Sequence, residues 1–118
     1  MTPLILGSSS WSEKSWSGVF YPQALTPREW LGFYATRFPA VEADVTYYRV
    51  PDRTLVNGWK RKTPEGFRIT AKFPRAIVHA GQGPQPDSDV LLRLDVDEVV
   101  ETRDRFLESM GLLGKRAG

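Results

Sequence analysis

The side chains best able to do chemistry in this chain fall around three short apolar runs. Glu42 and Asp44 stand two residues apart in Val41-Glu42-Ala43-Asp44-Val45-Thr46. A carboxylate in that setting serves as a general acid or base once it is partly desolvated. Lys72, in Phe67-Arg68-Ile69-Thr70-Ala71-Lys72-Phe73, can hold an anionic group, or act as a nucleophile if burial lowers its pKa. Arg49 offers a planar fork that clamps a carboxylate or phosphate. His79 is the single histidine, so it is either a proton shuttle or an ordinary loop hydrogen-bonding group.

A second group precedes these. The stretch Leu4-Ile5-Leu6 breaks at Gly7 into Ser8, Ser9 and Ser10, followed by Trp11 and Trp16. Small polar residues and aromatics on a long loop after a strand are a common way to build a binding surface. Ser8, Ser10 and Trp11 are therefore ligand-binding candidates, joined by Thr46, Tyr48 and Arg49 after the second run. Trp11 and Tyr48 are suited to stacking on a sugar or base, and equally to burying area in the core. No Gly-x-Ser-x-Gly elbow surrounds the serines, which makes them poor nucleophiles. There is no phosphate-binding P-loop and no Gly-x-Gly-x-x-Gly. One histidine and two spaced carboxylates fall short of a metal ligand set, so no metal and no cofactor are expected.

Periodicity indicates the elements that must position these groups. Residues 4–8 read as a strand and 9–24 as a loop. Thr26-Pro27-Arg28-Glu29 is a capping box with proline at the first helical position, and Leu25 and Trp30 are spaced as a hydrophobic staple. Trp30, Leu31, Tyr34 and Phe38 continue at helical spacing to Pro39. Residues 41–46 alternate strictly between apolar and polar. A short helix is expected from Asp52, weakened by Asn57-Gly58, with Lys60, Arg61 and Lys62 complementing its dipole. Residues 67–73 form a third alternating strand. Residues 79–90, rich in Gly, Pro and Asp, read as a mobile loop. Residues 97–110 read as a helix with Val99, Val100, Arg103, Phe106, Leu107 and Met110 along one stripe, ended by Gly111. The tail from Leu112 shows no pattern.

This β-loop-α, β-α, β-loop-α order argues for a parallel α/β sheet covered by helices. Strands with one apolar and one polar face suit a closed (β/α)₈ TIM-barrel-like fold, whose interior becomes polar at the catalytic end. Adjacent strands would let Asp44 pair with Lys72 and Glu42 with Arg68. Such pairs serve either structure or function. A barrel needs about 250 residues, so 118 residues amount to a partial barrel of about three βα units.

The ordered motifs GSSSWSEKSWSGVFYP, LTPREWLGFYATRFPAVEADVTYYRVP and WKRKTPEGFRITAKFPRAIVH resemble the YecE-like family, classed as a domain of unknown function (72). The resemblance runs from about Gly7 to His79 and continues weakly to FLESMG. It implies a TIM-barrel-like fold and no established reaction. Ser8 stands where that family usually has threonine, and Asp44-Val45-Thr46-Tyr47-Tyr48 replaces a small polar pair followed by Thr-Phe-Tyr. Leu112-Leu113-Gly114-Lys115-Arg116-Ala117-Gly118 departs from the family's Leu-Gly-x-Lys-Leu-Gly-Pro type of segment. On this reading residues 1–118 are the N-terminal part of one barrel domain whose C-terminal strands are absent.

Composition narrows the function classes. A net charge of +2 is too small to indicate nucleic acid by itself. Its distribution is uneven: eight bases between Arg49 and Arg75 face only Asp52 and Glu65, while residues 87–108 are acidic. Those bases form a solvated face or surround an anionic ligand. No apolar run approaches a membrane span, and the absence of cysteine suits the cytoplasm. The readings that stand are a barrel-type enzyme acting on a polar or anionic small molecule, a non-catalytic ligand-binding or interaction domain, and an inactive truncated product. In each, the missing half-barrel or self-association would cover exposed strand edges.

Overall fold

A computed structural model of the chain describes residues 4–78 and 96–118. Three strands, β1 (Gly7–Ser8), β2 (Ala40–Ala43) and β3 (Arg68–Ala71), form one sheet in the order β1-β2-β3, with both pairings parallel. The connections carry helices α1 (Pro27–Arg37) and α2 (Arg53–Lys62), and β3 is followed by α3 (Arg75–Val78) and α4 (Val96–Gly111). This is the expected α/β architecture, a partial TIM-barrel-like fold. Among the described residues no helix is long and apolar enough to cross a membrane.

Local sequence explains the helix starts. The Glu29 carboxylate accepts from the Thr26 backbone N–H at 3.3 Å and from its hydroxyl at 2.8 Å, closing the capping box of α1. Asp52 caps α2 by accepting from the Leu55 N–H at 2.8 Å. That cap, with Val56 and Trp59 buried against the core, carries α2 through Asn57-Gly58, which therefore does not break it. Trp30, Leu31 and Tyr34 of α1 meet Val41, Ala43, Phe67 and Ile69 from the sheet. Each large apolar side chain enclosed in this way stabilises the fold by about 1.5–3 kcal/mol.

The strands are shorter than alternation predicts. Leu4, Ile5 and Leu6 are exposed, because β2 offers β1 pairing only at Ala40 and Val41. Strand β2 ends at Ala43. Asp44 turns into the helical region (φ −82°, ψ −20°) and starts a 3₁₀ turn over Val45–Tyr47. Strand β3 ends at Ala71, and Phe73 lies half exposed beside Phe106, with ring centroids 5.2 Å apart. On α4 the expected stripe is only partly used: Phe106 is buried, whereas Val100, Arg103 and Leu107 are exposed. Gly111 remains helical, and the left-handed residue is Gly114 (φ 58°).

The tail proves to be organised. Leu113 is fully buried. The Arg116 guanidinium donates to the Thr63 carbonyl at 3.1 Å, and Ala117 bridges Ile69 in the parallel sense. The Gly118 N–H donates to the Ile69 carbonyl at 2.9 Å. The last residues thus lie along the free edge of β3, where a fourth parallel strand would run.

The β1–β2 junction rests on one side chain. The Tyr34 hydroxyl accepts from the Ser8 N–H at 2.8 Å, donates to the Ala40 carbonyl at 3.0 Å and lies 2.9 Å from the Ser8 hydroxyl. Gly7 passes so close to β2 that an added Cβ would lie 2.1 Å from the Ala40 carbonyl oxygen. Tyr34→Phe is expected to lower stability by about 1–3 kcal/mol, measured by urea denaturation. Gly7→Ala should cost more, because backbone must move, and it should abolish exchange protection at Val41 while sparing α2.

Candidate functional site

The polar face of the sheet is built by alternation. Glu42 from β2, and Arg68 and Thr70 from β3 with Lys72 just beyond it, project opposite to the buried Val41, Ala43 and Ile69. Lys72 Nζ stands 3.6 Å from Glu42 Oε1, and both side chains remain substantially exposed (51% and 38%). Beside them lies a cavity of about 310 Å³ lined by Ser8, Ser9, Glu42 and Thr70, along with Gly7, Ala40 and Val41.

The expected ion pairs are corrected in detail. The register sets Ala43 opposite Ala71, so continued strands would have set Asp44 opposite Lys72. The helical turn at Asp44 removes it, and Lys72 reaches the diagonal carboxylate of Glu42 instead. Glu42 lies opposite Thr70. Arg68 is diverted to the tail, donating to the Lys115 carbonyl at 2.8 Å.

The same turn relocates Thr46. It is fully buried, and its hydroxyl lies 2.7 Å from the Lys72 carbonyl and 3.0 Å from the Ala43 carbonyl. It fastens the end of β2 to the end of β3 and does not open onto the polar face. Tyr48 is exposed, with the Arg75 guanidinium 5.9 Å from its ring centroid. His79 lies outside the described residues.

The first loop is held mainly by local bonds. The Ser8 hydroxyl donates to the Ser10 carbonyl at 2.7 Å, and the Ser10 hydroxyl accepts from the Ser12 N–H at 3.1 Å. Trp11 meets Trp59 edge to face at 5.5 Å, and Trp16 meets Phe20 edge to face at 5.7 Å. Both tryptophans are partly buried against the core. The Trp11 carbonyl accepts from the buried Tyr21 hydroxyl, while the Tyr21 ring stacks on Trp30 at 5.1 Å and 5°.

Trp11 and Arg49 come together elsewhere. They line a groove of about 860 Å³ between α1 and α2, along with Arg28, Arg61 and Lys62. The strand pattern points only to the sheet face and misses this groove. Two signals were available: the surplus of bases from Arg49 to Arg75, and Arg28 in the first turn of α1, where the helix dipole disfavours a cation. Among the described residues, no three carboxylate, histidine or cysteine side chains gather as a metal site.

Burial, reinforced by the neighbouring Tyr34, pushes the Tyr21 phenol up to about 12. The folded state therefore keeps a proton that the unfolded chain releases near pH 10. The stabilisation is fully present below pH 10 and is lost as pH rises through 12. Ultraviolet titration should show one tyrosine ionising about two pH units late in the native protein. Tyr21→Phe should remove that late step and flatten the alkaline fall in stability.

The profile of a family described as "Protein of unknown function DUF72" matches residues 5–118. The UPF0759 protein YecE of Escherichia coli is 32% identical over 76 residues, covering 64% of this chain and 25% of that protein. The UPF0759 protein YunF of Bacillus subtilis is 24% identical over 83 residues, covering 70% and 28%. Among solved structures, a DUF72 family protein from Thermotoga maritima superposes with a TM-score of 0.68 at 31% identity, covering 97% of this chain and 41% of that one. Another from Enterococcus faecalis gives 0.65 at 29% identity, covering 96% and 36%. The chain thus spans about a quarter of the curated relatives it matches.

Proposed function

The chain belongs to the DUF72 family of proteins of unknown function, and from that premise we propose that it carries part of a barrel-type site for a small polar or anionic molecule, with Glu42 and Lys72 as its reacting groups. The observation that carries this reading is their exposed juxtaposition at the C-terminal ends of β2 and β3, beside the 310 Å³ cavity. Barrel enzymes keep their chemistry at that end. The 3.6 Å separation is too long for a direct hydrogen bond, so a ligand oxygen can bridge the two groups from the open side. In that position the Lys72 ammonium holds negative charge on the ligand, and the Glu42 carboxylate takes or returns a proton. Ser8, beside Ser9 in the cavity lining, shapes one wall, and the Ser10 carbonyl holds it by accepting from its hydroxyl. Asp44 and His79 remain further acid–base candidates, and Thr46 acts by fixing the strand ends.

An exposed pair of this kind contributes about 0–1 kcal/mol to stability, so removing either charge should leave the fold intact. Glu42→Gln and Lys72→Met are both expected to melt within a few degrees of wild type. Small polar and anionic compounds would be screened by thermal shift and then by turnover. Loss of turnover with retained binding in Glu42→Gln supports an enzyme. Loss of binding in both variants, with no turnover in any protein, supports a non-catalytic binding domain.

The proposal includes a cytoplasmic setting, consistent with the absence of cysteine. It also treats residues 1–118 as the N-terminal portion of one barrel domain, supported by their 36–41% coverage of the solved relatives. The β1 edge is then covered by the rest of a barrel or by a second copy. Supporting this, Leu4, Ile5 and Leu6 are exposed, and a cavity of about 300 Å³ at Gly7 and Ser8 is walled by Trp16, Phe20 and Phe38. Sedimentation of the 118-residue chain should show association that grows with concentration. A strict monomer with strongly protected β3 amides would count against the incomplete-barrel reading.

A further inference from the structure

The cations on this molecule are not all balanced in the way the Glu42–Lys72 pair is. The 860 Å³ groove between α1 and α2 is lined by Arg28, Arg49, Arg61 and Lys62, and its lining contains no carboxylate. None of the four side chains makes an ion pair or side-chain hydrogen bond among the described residues. Asp44, next to the lining residue Val45, is exposed, while three other acids close in sequence to the lining are engaged elsewhere. Glu13 accepts from the Ser15 N–H, Glu29 closes the α1 capping box, and Asp52 caps α2. The groove lining thus carries four cations and no carboxylate.

Two further features point to a ligand rather than to a solvated face. Arg28 stands at the helix end where a cation is disfavoured, so local stability does not account for it. Gly58 lies inside α2, where glycine costs about 1 kcal/mol relative to alanine. An added Cβ there would meet only the Arg61 guanidinium, at 4.0 Å. Packing leaves room for a side chain at Gly58, and its absence deepens the groove. Trp11, partly exposed and braced edge to face by the buried Trp59, supplies an aromatic wall.

We propose that this groove binds a small organic phosphate carrying a planar ring, with Arg28, Arg49, Arg61 and Lys62 sharing the phosphate charge and Trp11 against the ring. Guanidinium forks match phosphate oxygens in pairs, and an indole face is attracted to a planar π-system. The site is separate from the Glu42–Lys72 face and stands or falls independently of it.

The test is calorimetric titration of the 118-residue chain with adenosine 5′-diphosphate, inorganic pyrophosphate, adenosine and an oligothymidylate. The diphosphate nucleoside should bind, weakening as salt rises. Adenosine should bind about tenfold or more weakly, because it makes no charge-assisted contact. The double variant Arg28→Gln, Arg49→Gln should lose about tenfold or more in affinity. Gly58→Leu, which keeps every charge and fills the groove with a good helix former, should lose binding as well. Lys14→Gln, which removes a cation outside the groove, should bind like wild type. Unchanged affinity in either groove variant, or no binding of the diphosphate nucleoside, overturns the proposal. So does an oligothymidylate that binds while the small phosphate does not, which would make the groove a nucleic-acid track.

Discussion

The sheet depends on how closely β1 can approach β2. Two residues of strand cannot hold that approach by ladder bonds alone. The Tyr34 hydroxyl, carried in from α1, bonds to the backbone of both strands, and Gly7 removes the Cβ that would keep them apart. A helix side chain thus stands in for missing strand length. Because Tyr34 is fully buried and rings pack around it at Phe20, Phe38 and Phe67, the hydroxyl has no freedom to leave. Its bonds are made in a setting of low dielectric, where polar contacts are strong and unmade ones costly.

The far end of the sheet is fixed by a different device. Strand β2 stops at Ala43, and the 3₁₀ turn brings Thr46 back under Lys72. This closure sends Asp44 outward and leaves Glu42 and Lys72 as the charged groups facing each other. The site geometry is therefore a by-product of strand termination. One hydroxyl decides which carboxylate meets the lysine.

What was legible in the residues follows from this. The helix starts were legible, because a capping box or a capping Asp is a matter of three neighbouring positions. The parity of the faces was legible too: Val41, Ala43, Phe67 and Ile69 are buried as their alternation requires. Pair choice was not, since Asp44 and Lys72 would face each other in register, and only the backbone turn at Asp44 prevents it. The basic groove was only partly legible: the surplus of bases from Arg49 to Arg75 raised an anionic ligand, but nothing in the sequence joined Arg28 or Trp11 to them. The tail was missed because its order comes from partners far away, Thr63 and Ile69, and not from any pattern of its own.

The strand order carries a consequence for how the chain comes together. Gly7 pairs with Ala40, and Ala40 pairs with Arg68, so each strand joins the one made just before it. No strand must be inserted between two that already exist. During synthesis the β1–β2 pairing, with Tyr34 between them in the chain, can be complete before β3 leaves the ribosome. Parallel pairing over such separations is slow compared with a hairpin, but here each closure draws on a surface already built. The growing edge of the sheet advances in one direction, in step with translation.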